Sequence, residues 1–195
     1  SGVGVLYFLK WILSGALVMA SLCPAVQAAE PLKTIPRLDV QRYLGRWYEI
    51  AKFPNAFQRQ CVADTSALYS LLPDGRIQVL NQCRLSGGAM DQALGQARQM
   101  GDSSSAKLKV RFAPAWLSFL PMVWGNYWVI DLDDAYELVA VSEPQREYLW
   151  ILARSPQVDE SRYTALVERL AAMGFDVGKL EKMPHSGRQM DAVAK

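Results

Sequence analysis

Few side chains in this sequence could do covalent chemistry. It has one histidine, His185, in a polar stretch after Met183, and three cysteines, Cys23, Cys61 and Cys83. Covalent catalysis needs a nucleophile beside a base, and the lone imidazole falls in the tail. The same scarcity argues against a haem held by histidine. No cofactor and no metal site is expected, and Cys61 with Cys83 is read most simply as a disulfide pair. Binding chemistry is better represented. Glu49, Tyr69, Asn81, Tyr127, Tyr148 and Trp150 are candidate cavity residues by strand parity and aromatic content. In a mostly apolar pocket a few such polar groups fix orientation, and Glu49, Asn81 or a Tyr hydroxyl could meet a carboxyl or phosphate head group.

These residues must be positioned by strands. From Gly45 to Pro156 the chain reads as eight short β-type runs separated by turn signals. They are Gly45–Lys52, Val62–Leu71, Ile77–Cys83, Gln92–Gln99, Ala106–Phe112, Gly125–Leu132, Tyr136–Ser142 and Tyr148–Ser155. In Lys107-Leu108-Lys109-Val110-Arg111-Phe112 the cations must face water and the apolar side chains the interior. Short links such as Pro73-Asp74-Gly75 favour up-and-down order. Eight strands closing on themselves leave room for side chains or one small ligand. Ala93, Gly95 and Ala97 share one face of the fourth run, and small inward residues would leave space.

After Pro156 the period changes. Asp159-Glu160-Ser161 precedes Tyr163, Leu166, Val167, Leu170 and Met173, and Gly174 follows, which predicts an amphipathic helix over about 159–173 packed outside the barrel. The tail, 184–195, is expected to be loose. The whole is an all-β, eight-stranded up-and-down antiparallel barrel with a C-terminal α-helix, the barrel spanning about 45–156.

In such a barrel the odd and even links lie at opposite rims. The even links, Pro73-Asp74-Gly75, Met100–Ser105 and Asp133-Asp134-Ala135, are short and mostly polar and suit a closed base. The odd links carry Phe53, Phe57, Trp116, Phe119 and Trp124, an apolar rim expected to be the cavity mouth. The alternative is that the long 113–124 link folds in and plugs its own barrel. Cys61 and Cys83 also fall at this rim. A hairpin centred on Asp74-Gly75 would not set them opposite each other, so a bridge requires Cys61 in a loop or a bulge that shifts the register.

The first residues run apolar from Gly2 to Ala20 with Lys10 the sole charge, then reach Pro24 and Val26-Gln27-Ala28. This predicts a secretory signal over 1–28, or an uncleaved N-terminal anchor, ahead of a domain over 29–195. A lipid-modified Cys23 is the less favoured alternative, because bulky Leu22 precedes it. With 21 Lys plus Arg against 19 Asp plus Glu there is no basic field for nucleic acid. A transmembrane barrel is disfavoured because Lys107, Lys109 and Arg111 line one strand face and a helix follows the last strand.

Gly45-Arg46-Trp47-Tyr48-Glu49-Ile50 and Tyr148-Leu149-Trp150-Ile151-Leu152-Ala153-Arg154 place Trp47 and Arg154 together at the base, where an indole beside a guanidinium makes a cation–π cap. These segments resemble the lipocalin family, whose Gly-x-Trp motif and last-strand arginine match Gly45, Trp47 and Arg154. The similarity is strongest to its bacterial outer-membrane and apolipoprotein D-like members. It extends through Tyr69-Ser70-Leu71, Val79-Leu80-Asn81 and Gly174-Phe175-Asp176. The resemblance implies a carrier of fatty acids or lysophospholipids, periplasmic or at the outer membrane, monomeric or homodimeric, with peripheral membrane contact through the apolar rim. A lipid-isomerising member of the family is the enzymatic alternative. Truncating Trp47 to Ala is expected to cost about 3–5 kcal/mol, measured by chemical denaturation. An unchanged midpoint would remove the indole from the barrel floor.

Overall fold

The computed structural model describes residues 30–112 and 124–187. The expected leader with Cys23, the rim residues Trp116 and Phe119, and residues 188–195 lie outside that range. Eight antiparallel strands form the wall: β1 Gly45–Lys52, β2 Cys61–Leu71, β3 Ile77–Leu85, β4 Met90–Gln99, β5 Lys107–Arg111, β6 Gly125–Leu132, β7 Leu138–Ser142 and β8 Leu149–Ala153. Each pairs with the next, and β1 pairs with both β2 and β8, so the sheet closes on itself.

Two apolar cores share this wall. The inner one holds Trp47, Tyr69, Ile77, Val79, Ala97, Leu108, Val129 and Leu152. The outer one lies under helix α2, Glu160–Ala172, where Leu166 and Leu170 are buried with Ile130, Ala140, Ile151 and Phe175. β7 explains why its sequence does not alternate. Val139 and Val141 enter the inner core while Leu138 and Ala140 enter the outer one, so both faces are apolar. Asp159 caps the helix by accepting from the backbone N–H groups of Ser161 and Arg162. Arg169 clamps Asp131 of β6 with contacts of 2.7 and 2.9 Å.

Two elements are additions to the sequence reading. A four-residue helix, α1 Val40–Tyr43, crosses the base and buries Tyr43 in the inner core, together with Leu38 just ahead of it. A two-residue strand, β9 Glu181–Lys182, pairs with Ala51 and Lys52 of β1. Beyond it Met183 donates to the carbonyl of Ile50 and Pro184 accepts from the N–H of Asp64, so the chain fills the gap where β1 and β2 part toward the mouth. His185 and Ser186 are bonded to the wall as well, which corrects the expectation of a loose tail for residues 184–187. Composition suggested a loose end, but backbone groups on two parting strands need partners, and this segment supplies them.

Cys61 and Cys83 form a disulfide with Cα atoms 5.4 Å apart. The register shifts twice in β2, between Cys61 and Ala63 and between Ala63 and Ser66. Those irregularities draw Cys61 back toward Cys83, and Asp64 takes a left-handed φ of 54° there. The bridge closes a loop across a sequence separation of 22. Replacing both cysteines with Ser is expected to cost about 3 kcal/mol on chain-entropy grounds. Paired urea titrations of the wild type and the double variant measure it, and coincident curves would refute it.

Candidate functional site

The base is built around Arg154. Its Cζ lies 3.9 Å from the Trp47 ring centroid. The same guanidinium donates to the carbonyls of Arg46 at 3.0 Å, Arg42 at 2.7 Å and Tyr136 at 3.1 Å. Gly45 is required beside it: φ is +95°, and a Cβ there would stand 3.2 Å from Arg154 Nη1. Trp47 donates its indole N–H to the carbonyl of Tyr43, tying α1 to the floor.

Above this cap, Tyr127 bonds Tyr43 at 2.7 Å and Tyr69 at 2.9 Å, hydroxyl to hydroxyl. Burial pushes the Tyr69 phenol up to about 12 and holds Tyr43 and Tyr127 well above their ordinary value, so all three stay neutral. Tyr69 and Tyr127, expected to line the cavity, therefore belong to a floor whose polar groups satisfy one another. Asn81 lies higher on the same wall, opposite Ala67 and Ala93 in the strand register.

At the other end a short 3-10 turn, Ala56–Gln58, brings Glu49, Tyr148, Trp150 and Phe57 together. Phe57, exposed at the rim, meets Tyr148 at 5.2 Å between centroids, and Tyr148 stacks on Trp150 at 5.8 Å. The Trp150 indole donates to Gln58 Oε1 at 2.9 Å, and the Gln58 amide donates to Glu49 Oε2 at 2.7 Å. Asn55 caps the turn and also donates to Gln58 Oε1. Gln58 and Asn55 were missed by sequence reasoning; the Pro54-Asn55 pair was the available signal for a capped turn.

Glu49 is only 3% exposed, and its Oε1 has no hydrogen-bond partner among the described residues. Burial pushes this carboxyl up to about 7, with the Gln58 bond and the Lys52 ammonium pulling the other way. Lys52 itself bonds Glu181 at 3.3 Å. A pocket of about 380 Å³ opens beside the cluster, bounded by Lys52, Asn55, Gln58 and Cys61. A larger cleft of about 770 Å³ lies at the opposite end between residues 37–41 and the hairpin turns, and Arg76 in its wall is already paired with Asp74.

Two expected mouth residues lie elsewhere. A register shift between Glu49 and Ala51 reverses the alternation of β1, so Phe53 enters the outer core and packs on Phe175 at 6.2 Å. Gly125 pairs with Val110, which puts Trp124 on the outer face, beneath Arg98 at 4.4 Å and Arg111 at 5.3 Å. Of the three small residues expected to face inward, Gly95 and Ala97 are buried, whereas Ala93, nearer the start of β4, is exposed. The space left by Gly95 is taken by the Phe112 ring, 2.6 Å from where a Cβ would stand.

A closed up-and-down barrel, capped at its base by a Trp–Arg pair, braced by one outer helix and bearing an aromatic mouth, is a calyx fold. The chain belongs to the lipocalin family: the family model for the lipocalin-like domain matches residues 38–185. It is 43% identical to temperature-induced lipocalin-1 of Arabidopsis thaliana over 158 residues, covering 80% of this chain and 83% of that protein. It is 37% identical to the outer membrane lipoprotein Blc of Citrobacter freundii, over 85% of this chain and 91% of the relative. Mouse apolipoprotein D is 34% identical, with 81% of this chain and 79% of that protein aligned. Among solved structures, insecticyanin from Manduca sexta superposes with a TM-score of 0.62 at 18% identity, covering 80% of this chain and 85% of its own.

The burial of Glu49 has a pH signature. The carboxyl ionises near 4.5 when unfolded and about 7 when folded. Its contribution to stability is present below the first value and lost as pH rises through the second, because the folded chain keeps a proton that the unfolded chain releases. Glu49→Gln is therefore expected to stabilise the protein by up to about 3 kcal/mol at pH 8, shrinking to under about 1 kcal/mol at pH 5. Urea titrations at both pH values read the difference.

Proposed function

We propose that the barrel binds and carries a lipid, a fatty acid or a lysophospholipid, at a bacterial cell envelope and serves membrane maintenance. The observation that carries this reading is the mouth. A buried carboxyl, one of whose oxygens has no hydrogen-bond partner among the described residues, sits below a ladder of aromatic rings that begins at the exposed Phe57. A polar group in an otherwise apolar, aromatic setting is how ligand pockets orient an amphiphile. Glu49, Tyr148 and Trp150 would contact the head-group end, with Asn81 on the wall beneath and Tyr69 and Tyr127 under the tail.

The chain is read as exported and periplasmic, its first 28 residues acting as the leader, with attachment through Cys23 as the alternative. Similarity to proteins named outer membrane lipoproteins supports the envelope location. The exposed rings of Phe57 and Phe112 support peripheral contact with a membrane through the rim. Carriage rather than catalysis is favoured because both described cysteines are consumed in the disulfide, while His185 bonds the backbone carbonyl of Glu49.

Native mass spectrometry of the protein purified from its own envelope, followed by organic extraction, tests the reading. A fatty acid or lysophospholipid is expected near one per chain, and lipid titration is expected to quench tryptophan fluorescence through Trp150. A homogeneous ligand-free protein that shows no quenching would sink the carrier role.

A further inference from the structure

The net charge of only +2 hides a segregation of charge. On the side of helix α2 the cations face carboxylates: Arg162 pairs with Asp133 and Glu137, Arg169 with Asp131, Lys179 with Asp176 and Lys182 with Glu160. The wall formed by β2 to β5 differs. Ala67, Val79, Ala97 and Leu108 point into the inner core, so the residues alternating with them face out. On β4 and β5 these include Arg98, Lys107 and Lys109, and none of the three forms an ion pair among the described residues. The acidic groups of this side are spent on other partners: Asp74 on Arg76, Asp64 on Arg84, Asp102 on Ser104 and Asp91 on the Gln92 N–H. Arg98 stands directly opposite Lys109 in the strand register. Like charges so placed cost stability unless an anion joins them. Two of the cations are also held over rings, Arg98 at 4.4 Å from Trp124 and Lys107 at 4.5 Å from Trp128.

The same wall carries an apolar row. Leu68, Leu80 and Leu94 stand opposite one another on β2, β3 and β4, and Leu94 is 61% exposed. Arg46 of β1 extends the row opposite Leu68, and its guanidinium bonds only the neutral side chains of Ser66 and Gln82. Unpaired cations beside an exposed apolar row complement the surface of an anionic bilayer, where leucines enter the acyl boundary and cations meet phosphates. A second copy of this chain is a poor match, because two such walls would set cations against cations. A nucleic acid would use the cations and leave the leucines in water. We propose that the outer wall of β2–β5 docks the protein on a membrane of anionic phospholipid, with Arg98, Lys107 and Lys109 on the head-group phosphates and Leu94 at the acyl boundary. The contact lays the barrel on its side. It is separate from contact through the rim and independent of what the barrel carries.

Sedimentation of the full protein with vesicles tests the assignment, using phosphatidylcholine alone and an equal mixture of phosphatidylcholine and phosphatidylglycerol. An apolar anchor at the N-terminus would add the same affinity to both vesicles, so the ratio of the two affinities is the quantity read. The mixed vesicles are expected to bind at least about tenfold more tightly at low salt, and the ratio should fall as salt screens the charges. Arg98→Gln, Lys107→Gln and Lys109→Gln combined should remove most of the ratio, at about fivefold per cation, whereas Phe57→Ala at the rim should leave it unchanged. A wild type without the preference, or a triple variant that keeps it, overturns the inference. Binding to duplex DNA as tight as to the mixed vesicles would make the wall a general polyanion site and overturn the lipid assignment. A second measurement needs no variant: amine labelling of the wild type with and without vesicles. The mixed vesicles are expected to protect Lys107 and Lys109 and to leave Lys179 and Lys182, on the helix side, as reactive as before. Equal labelling of all four in the bound state refutes the docking face.

Discussion

The guanidinium of Arg154 joins the two ends of the barrel wall, and the closure of the sheet depends on it. It stands at the end of β8, yet three of its hydrogen bonds go to backbone carbonyls of residues 42, 46 and 136, and its flat face covers Trp47. One side chain thus fixes the last strand to the first, and the β6–β7 turn to both. Charge-assisted bonds from a rigid fork are well suited to this, since a planar donor set tolerates little displacement. Gly45 is part of the same device, because its positive φ and missing Cβ let the chain pass beside the guanidinium.

The interior that this closure creates is divided by how its polar groups are satisfied. At the floor, three tyrosine hydroxyls form a short chain, and none needs anything from outside. Near the mouth the arrangement is incomplete. Gln58 spends its amide on Glu49 and Trp150, and one buried carboxyl oxygen of Glu49 has no partner among the described residues. An unsatisfied buried polar atom costs about 1–3 kcal/mol, so the mouth is where stability is given up, and strained or unsatisfied groups concentrate where function does.

The mouth end of the wall is also where regular pairing fails. β1 shifts register after Glu49 and β2 shifts twice before Ser66, and residues 181–186 enter the opening between the two strands. The disulfide sits on the β2–β3 side of the same region. Together the bridge and the C-terminal segment hold the bulged strands, and the irregularity in β1 leaves Glu49 inward while turning Phe53 outward.

Much of the fold was legible because strand parity, turn chemistry and helix period are local properties. The alternation of residues 107–112, the Asp74-Gly75 turn and the stripe from Tyr163 to Met173 each name their element from neighbours in sequence. The pairing of Trp47 with Arg154 was legible too, since counting strands puts both at one rim. The rest was decided in three dimensions. A bulge costs one residue and leaves no compositional trace, yet it moved Phe53 into the helix core and brought Cys61 to Cys83. Gln58 reads as an ordinary polar loop residue until a capped turn carries it between Glu49 and Trp150. His185 and Ser186 read as tail until two parting strands offer them partners. By itself the sequence determined which residues could face inward. Tertiary structure alone decided which buried polar groups would find partners, because hydrogen-bond satisfaction depends on distances between segments that no local pattern encodes.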